Sequence, residues 1–295
     1  MKIAFLGLGD IGAPMAYHLA RDPFDLVVWN RTKSKADAFA RDHNTRVAAT
    51  PAEAVKDAWV VITCLPSSVE VEAVLHGENG MLGSLRKGAV LIDCTSGDPP
   101  TSRSIAAELG GRGVEFIDAP VSGGTTAAKA GTLTVMWGGE ESVFERVRPV
   151  FEAFGKKIVH AGPVGSGDAL KAVNNALLAV HILSTAEGLA VLVKAGVKPA
   201  VALEVINASS GRSNSSENLI PQRVLTRAFP RTFRLALLEK DIGIAAVMAE
   251  DLDARTPLIS LTAERFHEAR EKLGDQADHV EAVKLVEEEN SVEIR

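Results

Sequence analysis

Two amide side chains and a lysine interrupt a long, mainly apolar stretch between Asp168 and Ala195: Lys171 and Asn175 stand one helical turn apart, and Asn174 is close to the same face. Burying an ammonium without a partner is costly, so a lysine in such a stretch needs a reason to be there. One reason is acid/base chemistry. The lysine can protonate the alkoxide formed as a hydride reaches a carbonyl, or take the hydroxyl proton in the reverse direction, with Asn175 hydrogen-bonding the amine and the reacting oxygen. The residues are equally compatible with a lysine that snorkels to solvent near a helix end.

A second polar island, Asp118-Ala119-Pro120-Val121-Ser122-Gly123-Gly124, follows a strand-like run. The Ser122 hydroxyl and the unhindered amides of Gly123 and Gly124 suit a carboxylate, though a plain Gly-Gly turn would look the same. Lys240 shares a helical face with Leu237, Ile244 and Val247 at i−3, i+4 and i+7, so it either points into a cleft or pairs with Asp241 or Glu239. The histidines have no metal-ligand spacing, no metal is expected, and no Ser/His/Asp arrangement is visible.

Gly7-Leu8-Gly9-Asp10-Ile11-Gly12 follows an apolar run at Ile3 to Leu6 and opens a helical pattern. In a strand-turn-helix unit the first glycine makes the tight turn, the second lets backbone approach a pyrophosphate, and the third allows close helix packing. An acidic residue roughly 20 positions after the glycines would hold the ribose hydroxyls of NAD. Here the chain reads Trp29-Asn30-Arg31-Thr32-Lys33, with no carboxylate and with groups able to hold a 2′-phosphate. NADP(H) is therefore the expected cofactor, with NAD(H) as the alternative. Leu65-Pro66 and Thr95-Ser96 close two further strands at the edge where such a fold binds its ligand, and of the two hydroxyls Ser96 is favoured by position. Cys64 and Cys94 each follow an apolar run and read as reduced thiols packed in a core or a site wall.

These residues need a scaffold that brings strand ends together. Strand candidates are Ile3 to Leu6, Leu26 to Trp29, Val60 to Thr63, Val90 to Ile92, Phe116 to Ile117, Leu133 to Met136 and Ile158 to Val159, with helical patterns between most of them. That alternation indicates a parallel, doubly wound sheet over residues 1–162. Beyond Gly162 no strand alternation is evident, and residues 163–295 read as a helical domain. Its first helix runs from about Asp168 to Ala195, apolar nearly all round and hence central and buried. Further helices are expected at Pro199 to Ala208, Leu235 to Glu250, Pro257 to Lys272 and His279 to Glu289, with an irregular segment at Arg212 to Arg234 that has room for one helix.

A length of 295 residues suits two such units, and a formal charge of −6 offers no basic field for nucleic acid or an anionic membrane. The most apolar segment, Ala176 to Val193, is interrupted by His181, Ser184, Thr185 and Glu187, and reads as a buried helix rather than a membrane span. A cytoplasmic protein is expected.

The four motifs in this order, Gly7 to Gly12, Asp118 to Gly124, Gly165-Ser166-Gly167 leading to Lys171-Ala172-Val173-Asn174-Asn175, and Lys240-Asp241, resemble the β-hydroxyacid dehydrogenases over essentially the whole chain. That family is typified by 3-hydroxyisobutyrate dehydrogenase and includes tartronate semialdehyde, glyoxylate and succinic semialdehyde reductases. The chain departs from the family at Ile11, where methionine is frequent, and at Thr95-Ser96, which inverts a frequent Ser-Thr pair. The resemblance implies a Rossmann-like domain followed by an all-helical one, and a small 3-hydroxy acid or semialdehyde as substrate. It implies that Ser122, Gly123 and Gly124 bind the carboxylate, that Lys171 is catalytic with Asn175 assisting, and that Asn174 and Lys240 lie beside the substrate. Lys240 would also adjoin the nicotinamide, and the chain would form a homodimer or homotetramer through its helical domain. Imine reductases usually lack this lysine, 6-phosphogluconate dehydrogenases have a much larger helical part, and a non-catalytic NADP-binding module would not need Lys171 and Asn175.

Overall fold

Strands whose residues are apolar on both faces require a sheet covered on both sides, and the computed structural model, which describes residues 1–295, has one. β1 (Lys2–Leu6), β2 (Asp25–Trp29), β3 (Arg46–Val47), β4 (Val60–Thr63), β5 (Val90–Asp93) and β6 (Glu115–Asp118) lie parallel in the order β3-β2-β1-β4-β5-β6. Side chains alternate between two core layers: Ile3, Phe5, Val60, Ile62, Val90 and Ile92 enter one, whereas Ala4, Leu6, Val61 and Leu91 enter the other. The helices that cover them are α1 (Gly12–Leu19), α2 (Lys33–His43), α3 (Pro51–Val55), α4 (Ser68–His76) and α5 (Pro99–Gly110). Strand order reverses beside β1, which lies between β2 and β4, the place where a doubly wound sheet opens a ligand crevice.

The parallel, doubly wound sheet expected from the sequence runs through β6, and an antiparallel return follows it. β7 (Val121–Ser122) continues from β6, and α6 (Gly124–Ala130) turns the chain back instead of carrying it over the sheet. β8 (Leu133–Gly138) therefore runs antiparallel to both β6 and β7, and after α7 (Glu141–Phe154) the last strand, β9 (Gly155–Gly162), pairs parallel to β8. β3, β7, α3 and α6 are too short to leave a readable period in the sequence, and none is foreseen from it.

Contacts divide the chain into Met1–Lys171 and Ala172–Arg295. Helix α8 (Ser166–Lys194) runs through the boundary and is followed by α9 (Pro199–Asn207), α10 (Leu235–Asp251), α11 (Pro257–Leu273) and α12 (Val283–Asn290), the last entered through a 3-10 turn at His279–Ala282. Within the segment Arg212 to Arg234, expected to be irregular with room for one helix, Ser215–Val224 forms a π-helix. On α8 a ridge of Ala172, Ala176, Ala179, Ile182, Ala186, Leu189 and Ala190 packs into the helical core. The helix is not buried all round, as its pattern implies: Leu177 is 48% and Val191 65% exposed in the single chain. By length and composition α8 passes the test for a membrane span, yet it serves as the core helix of its unit. The core face of α10 includes Leu238, Asp241, Ile242 and Ala245, while Val247 is exposed.

The helical unit is fastened around one carboxylate. Asp278, 1% exposed, accepts from the backbone N–H groups of Thr232 (2.8 Å), Phe233 (3.2 Å) and Val280 (3.1 Å) and from the Thr232 hydroxyl, and Arg223 lies 3.4 Å away. Burial opposes its charge, but the His279 ring and these donors outweigh it and hold the carboxyl well below the usual range. A group whose pKa falls on folding stabilises the fold above its unfolded value, and that contribution is lost as pH drops toward the folded one. Asp278→Asn is expected to cost about 2–3 kcal/mol at pH 7, with the gap to the parent narrowing below about pH 4, measured by urea denaturation across pH.

Candidate active site

The glycine loop is shaped by contacts that leave no room for side chains. Gly7 adopts φ +107°, and a Cβ there would collide with the Cys64 carbonyl; a Cβ on Gly12 would collide with the Gly7 carbonyl. Gly9 is different, since nothing lies within 4 Å of where its side chain would be. Bare backbone thus faces open space at the start of α1, which has no side-chain cap and no acid in its first turn. Such a helix N-terminus attracts phosphate, so the loop fits a dinucleotide. Asn30 is tied to this loop: its Oδ1 accepts from Leu8 N at 2.9 Å and its Nδ2 donates to the Thr32 carbonyl. Arg31 and Thr32 are exposed, Thr32 stands at the N-cap of α2 without a capping bond, and Lys33 is paired with Asp37 at 2.8 Å.

At the carboxyl edge of the sheet the two loops expected to meet the cofactor are held from below. Thr63 Oγ1 and Thr95 N both donate to Asp93, and Leu65 N donates to Thr95 Oγ1 at 3.0 Å. Thr95 is 2% exposed with its hydroxyl committed to that loop, whereas Ser96 is half-buried. Leu65 is also half-buried and Pro66 exposed. Burial pushes the Asp93 carboxyl up to about 6 against the opposing bonds from Thr95 and Thr63. Burial and the neighbouring Asp93 push the Cys64 thiol up to about 12, and Cys94 is likewise raised. Both thiols are wall, not nucleophile.

In the same unit Ser122 is half-buried at the end of β7, and Gly123 (φ +130°) and Gly124 (φ +66°) open α6. A Cβ on Gly123 would press on Ala127, while Gly124 faces open space. Lys171 ends this unit on the second turn of α8 and is 9% exposed. A cavity of about 640 Å³ borders Leu8, Gly9 and Asp10 between α1 and α2, and Ser96, Ser122 and Lys171 are not among its lining residues.

In the helical unit Asn175, 2% exposed, donates from Nδ2 to Asp241 Oδ2 at 2.5 Å, and Lys240 Nζ lies 2.7 Å from Asp241 Oδ1. A carboxylate only accepts, so Asp241 fixes which way the Asn175 amide faces and leaves its oxygen to accept from Asn174 Nδ2 at 3.1 Å. Asn174 itself is exposed. Lys240 thus makes the ion pair that one reading of the sequence allowed. The bond from Asn175 to Asp241 is what sequence reasoning missed; its signal is a carboxylate on the Leu238–Ile242–Ala245 face of a helix.

Residues 2–162 match the family described as the NAD binding domain of 6-phosphogluconate dehydrogenase, and residues 165–286 match the one described as NAD-binding of NADP-dependent 3-hydroxyisobutyrate dehydrogenase. The chain belongs to the 3-hydroxyisobutyrate dehydrogenase-like family of β-hydroxyacid dehydrogenases. A 2-(hydroxymethyl)glutarate dehydrogenase of Eubacterium barkeri is 35% identical over 300 residues, covering 100% of this chain and 97% of its own length. An NAD-dependent L-serine dehydrogenase of Pseudomonas aeruginosa is 38% identical over 88% of this chain and 89% of its own. The 3-hydroxyisobutyrate dehydrogenase of Mycobacterium tuberculosis, solved with L-serine, superposes with a TM-score of 0.88 at 31% identity, covering 97% of this chain and 98% of that one. As a β-hydroxyacid dehydrogenase, this protein binds a nicotinamide dinucleotide and is an oxidoreductase of CH–OH groups.

Proposed function

We propose that this β-hydroxyacid dehydrogenase prefers NADP(H) and interconverts a small 3-hydroxy acid and its semialdehyde, with Lys171 as the acid/base. The observation that carries the reading is Lys171, 9% exposed and one turn ahead of an Asn175 whose amide is locked by Asp241. The relatives' names supply the substrate class. L-Serine, 3-hydroxyisobutyrate and 2-(hydroxymethyl)glutarate share a primary alcohol on the carbon next to the one bearing a carboxylate, and differ only in what else that carbon carries. That shared unit is what we carry over to this chain.

In this reading the Ser122 hydroxyl and the amides of Gly123 and Gly124 take the carboxylate, which sets the alcohol carbon at a fixed distance from the anion site. The nicotinamide supplies a hydride in reduction and accepts one in oxidation. Lys171 Nζ gives its proton to the carbonyl oxygen as the alcohol forms, and in the reverse direction the neutral amine takes the hydroxyl proton. Asn175 orients the lysine and the reacting oxygen, Asn174 borders the substrate, and Lys240, held by Asp241, lies where substrate and nicotinamide meet. The preference for NADP(H) is supported by exposed Arg31 and the uncapped Thr32 at the start of α2, which has no acid in its first turn. An NAD-dependent relative makes the cofactor a matter for direct measurement. We also propose a homodimer or homotetramer, because Leu177 and Val191 on α8, Val205 on α9, Val247 on α10 and Leu258 on α11 are exposed in the single chain.

A panel of 3-hydroxy acids, their methyl esters, glyoxylate and succinic semialdehyde, followed by nicotinamide absorbance, tests the substrate class; turnover of esters as fast as acids would remove the anion site from the reading. On the best substrate, Lys171→Ala is expected to lose roughly 10²–10⁴ in kcat while binding NADPH normally, and Lys171→Arg should not restore it. A variant keeping more than about a tenth of parental kcat would end the proposed role. For the cofactor, Arg31→Ala should weaken NADPH by about 1–3 kcal/mol and leave NADH nearly unchanged. Asn30→Ala, which takes the acceptor from Leu8 N, should weaken both cofactors alike; fluorescence titration reads the two patterns, and equal parental affinities would overturn the preference. Light scattering at micromolar concentration should give the mass of two or four chains, and a monomer would remove the proposed assembly.

A further inference from the structure

The first turn of α8 makes hydrogen bonds that the proposed chemistry does not use. Asp118, at the end of β6, turns its carboxylate onto that turn: Oδ1 accepts from Gly165 N at 2.8 Å and Oδ2 from Asp168 N at 3.0 Å. Asp168, three residues before Lys171, reaches the other way. Its Oδ1 accepts from Gly97 N at 3.1 Å, and its Oδ2 from the Ser102 hydroxyl at 2.6 Å. Gly97 directly follows Ser96. Asp118, Asp168 and Ser102 are at most 2% exposed.

Three glycines make the room. A Cβ on Gly138 would come within 2.5 Å of Asp118 Oδ1, one on Gly167 within 2.5 Å of the Met136 carbonyl, and one on Gly97 within 2.8 Å of Ser68 Oγ. The turn is therefore pressed against the carboxyl ends of β5, β6 and β8 with its N–H groups facing Asp118, which completes a helix N-terminus from a distance.

We propose that Asp168 is a positioning residue that sets Lys171 in register with the Ser96 loop, and that Asp118 holds Asp168 in place to do so. The inference rests on the reading of Lys171 as acid/base. A lysine side chain is long and flexible, so where its amine arrives depends on where its helical turn starts. Asp168 grips the residue after Ser96 and the Ser102 hydroxyl, and it grips by hydrogen bonds that do not require a charge. Burial, with repulsion from Asp118 and Asp93, raises the Asp168 pKa well above the ordinary carboxylate range, so an amide of the same shape can replace it.

The test compares Asp168→Ala, Asp168→Asn and Lys171→Ala with the parent in the full chain. Asp168→Ala should lower kcat by about 10- to 100-fold, the scale of a misplacement near 1 Å, while KM for the acid and NADPH affinity change less than about threefold. Asp168→Asn keeps an acceptor for Gly97 N and a donor toward Ser102, and should return kcat to within about fivefold of the parent. Amide hydrogen exchange should rise at least about tenfold at Gly97 in Asp168→Ala, not in Asp168→Asn, with the rest of the sheet unchanged. A folded Asp168→Ala with kcat within threefold of the parent, an Asp168→Asn as impaired as alanine, or unchanged exchange at Gly97 would each overturn the proposal. Should Asp168→Ala not fold, Ser102→Ala removes the 2.6 Å bond alone; an unchanged kcat would overturn the proposal and a severalfold loss at constant KM would support it. Lys171→Ala separates the two readings: if it retains turnover the acid/base role fails, while exchange at Gly97 still judges the latch.

Discussion

A 29-residue helix begins with backbone N–H groups that have no partner within it, and in this protein the answer is a carboxylate from a different element. Asp118 closes β6 and faces the amides of Gly165 and Asp168, so the end of the sheet and the start of α8 share one set of hydrogen bonds. Much else follows from that contact. It requires glycine at positions 138 and 167, it puts Asp168 against Gly97, and it decides where along the sheet edge the turn with Lys171 begins. The Asp118-to-Gly124 motif therefore has two ends with different tasks: Gly123 and Gly124 offer amides to a ligand, while Asp118 receives amides from the protein.

The same division between supporting and presented groups recurs around the site. Asp93 holds Thr63 and Thr95, and Thr95 in turn takes Leu65 N, so that Ser96 is the hydroxyl of its pair nearer the surface. Asn30 secures Leu8 N, while Arg31 and Thr32 remain exposed. Asp241 grips Asn175 and Lys240. Asp93 and Asp241 are buried acceptors and Asn30 is a half-buried one, the arrangement expected where a polar group must keep its orientation.

Asp93, Asp118 and Asp168 concentrate buried carboxylates at the carboxyl edge of one sheet, and burial raises the pKa of each. Asp93 and Asp118 are neighbours in register on β5 and β6. Their mutual repulsion is tolerated because each accepts hydrogen bonds, and because a carboxyl that takes up a proton still fills the same space.

Some features were legible in the residues alone because they depend on local periodicity. The strands from Ile3 to Val159, the long helix and the helices of the second unit appear near their expected bounds, since a short continuous apolar run or a 3.6-residue repeat survives whatever the chain packs against. The glycine fingerprint and the four ordered motifs were legible as well, because close backbone approach admits few residue types. The two-residue strands β3 and β7 and the short helices α3 and α6 were not, and the antiparallel return at β8 depended on α6. Nor could the pattern show that α8 leaves Leu177 and Val191 exposed, because periodicity says which residues share a face and not what covers it. The roles of Asp118 and Asp168 and the bond from Asn175 to Asp241 were decided by tertiary structure alone: these partners lie 47 to 71 residues apart, and a hydrogen bond across that separation leaves no local signature in the sequence.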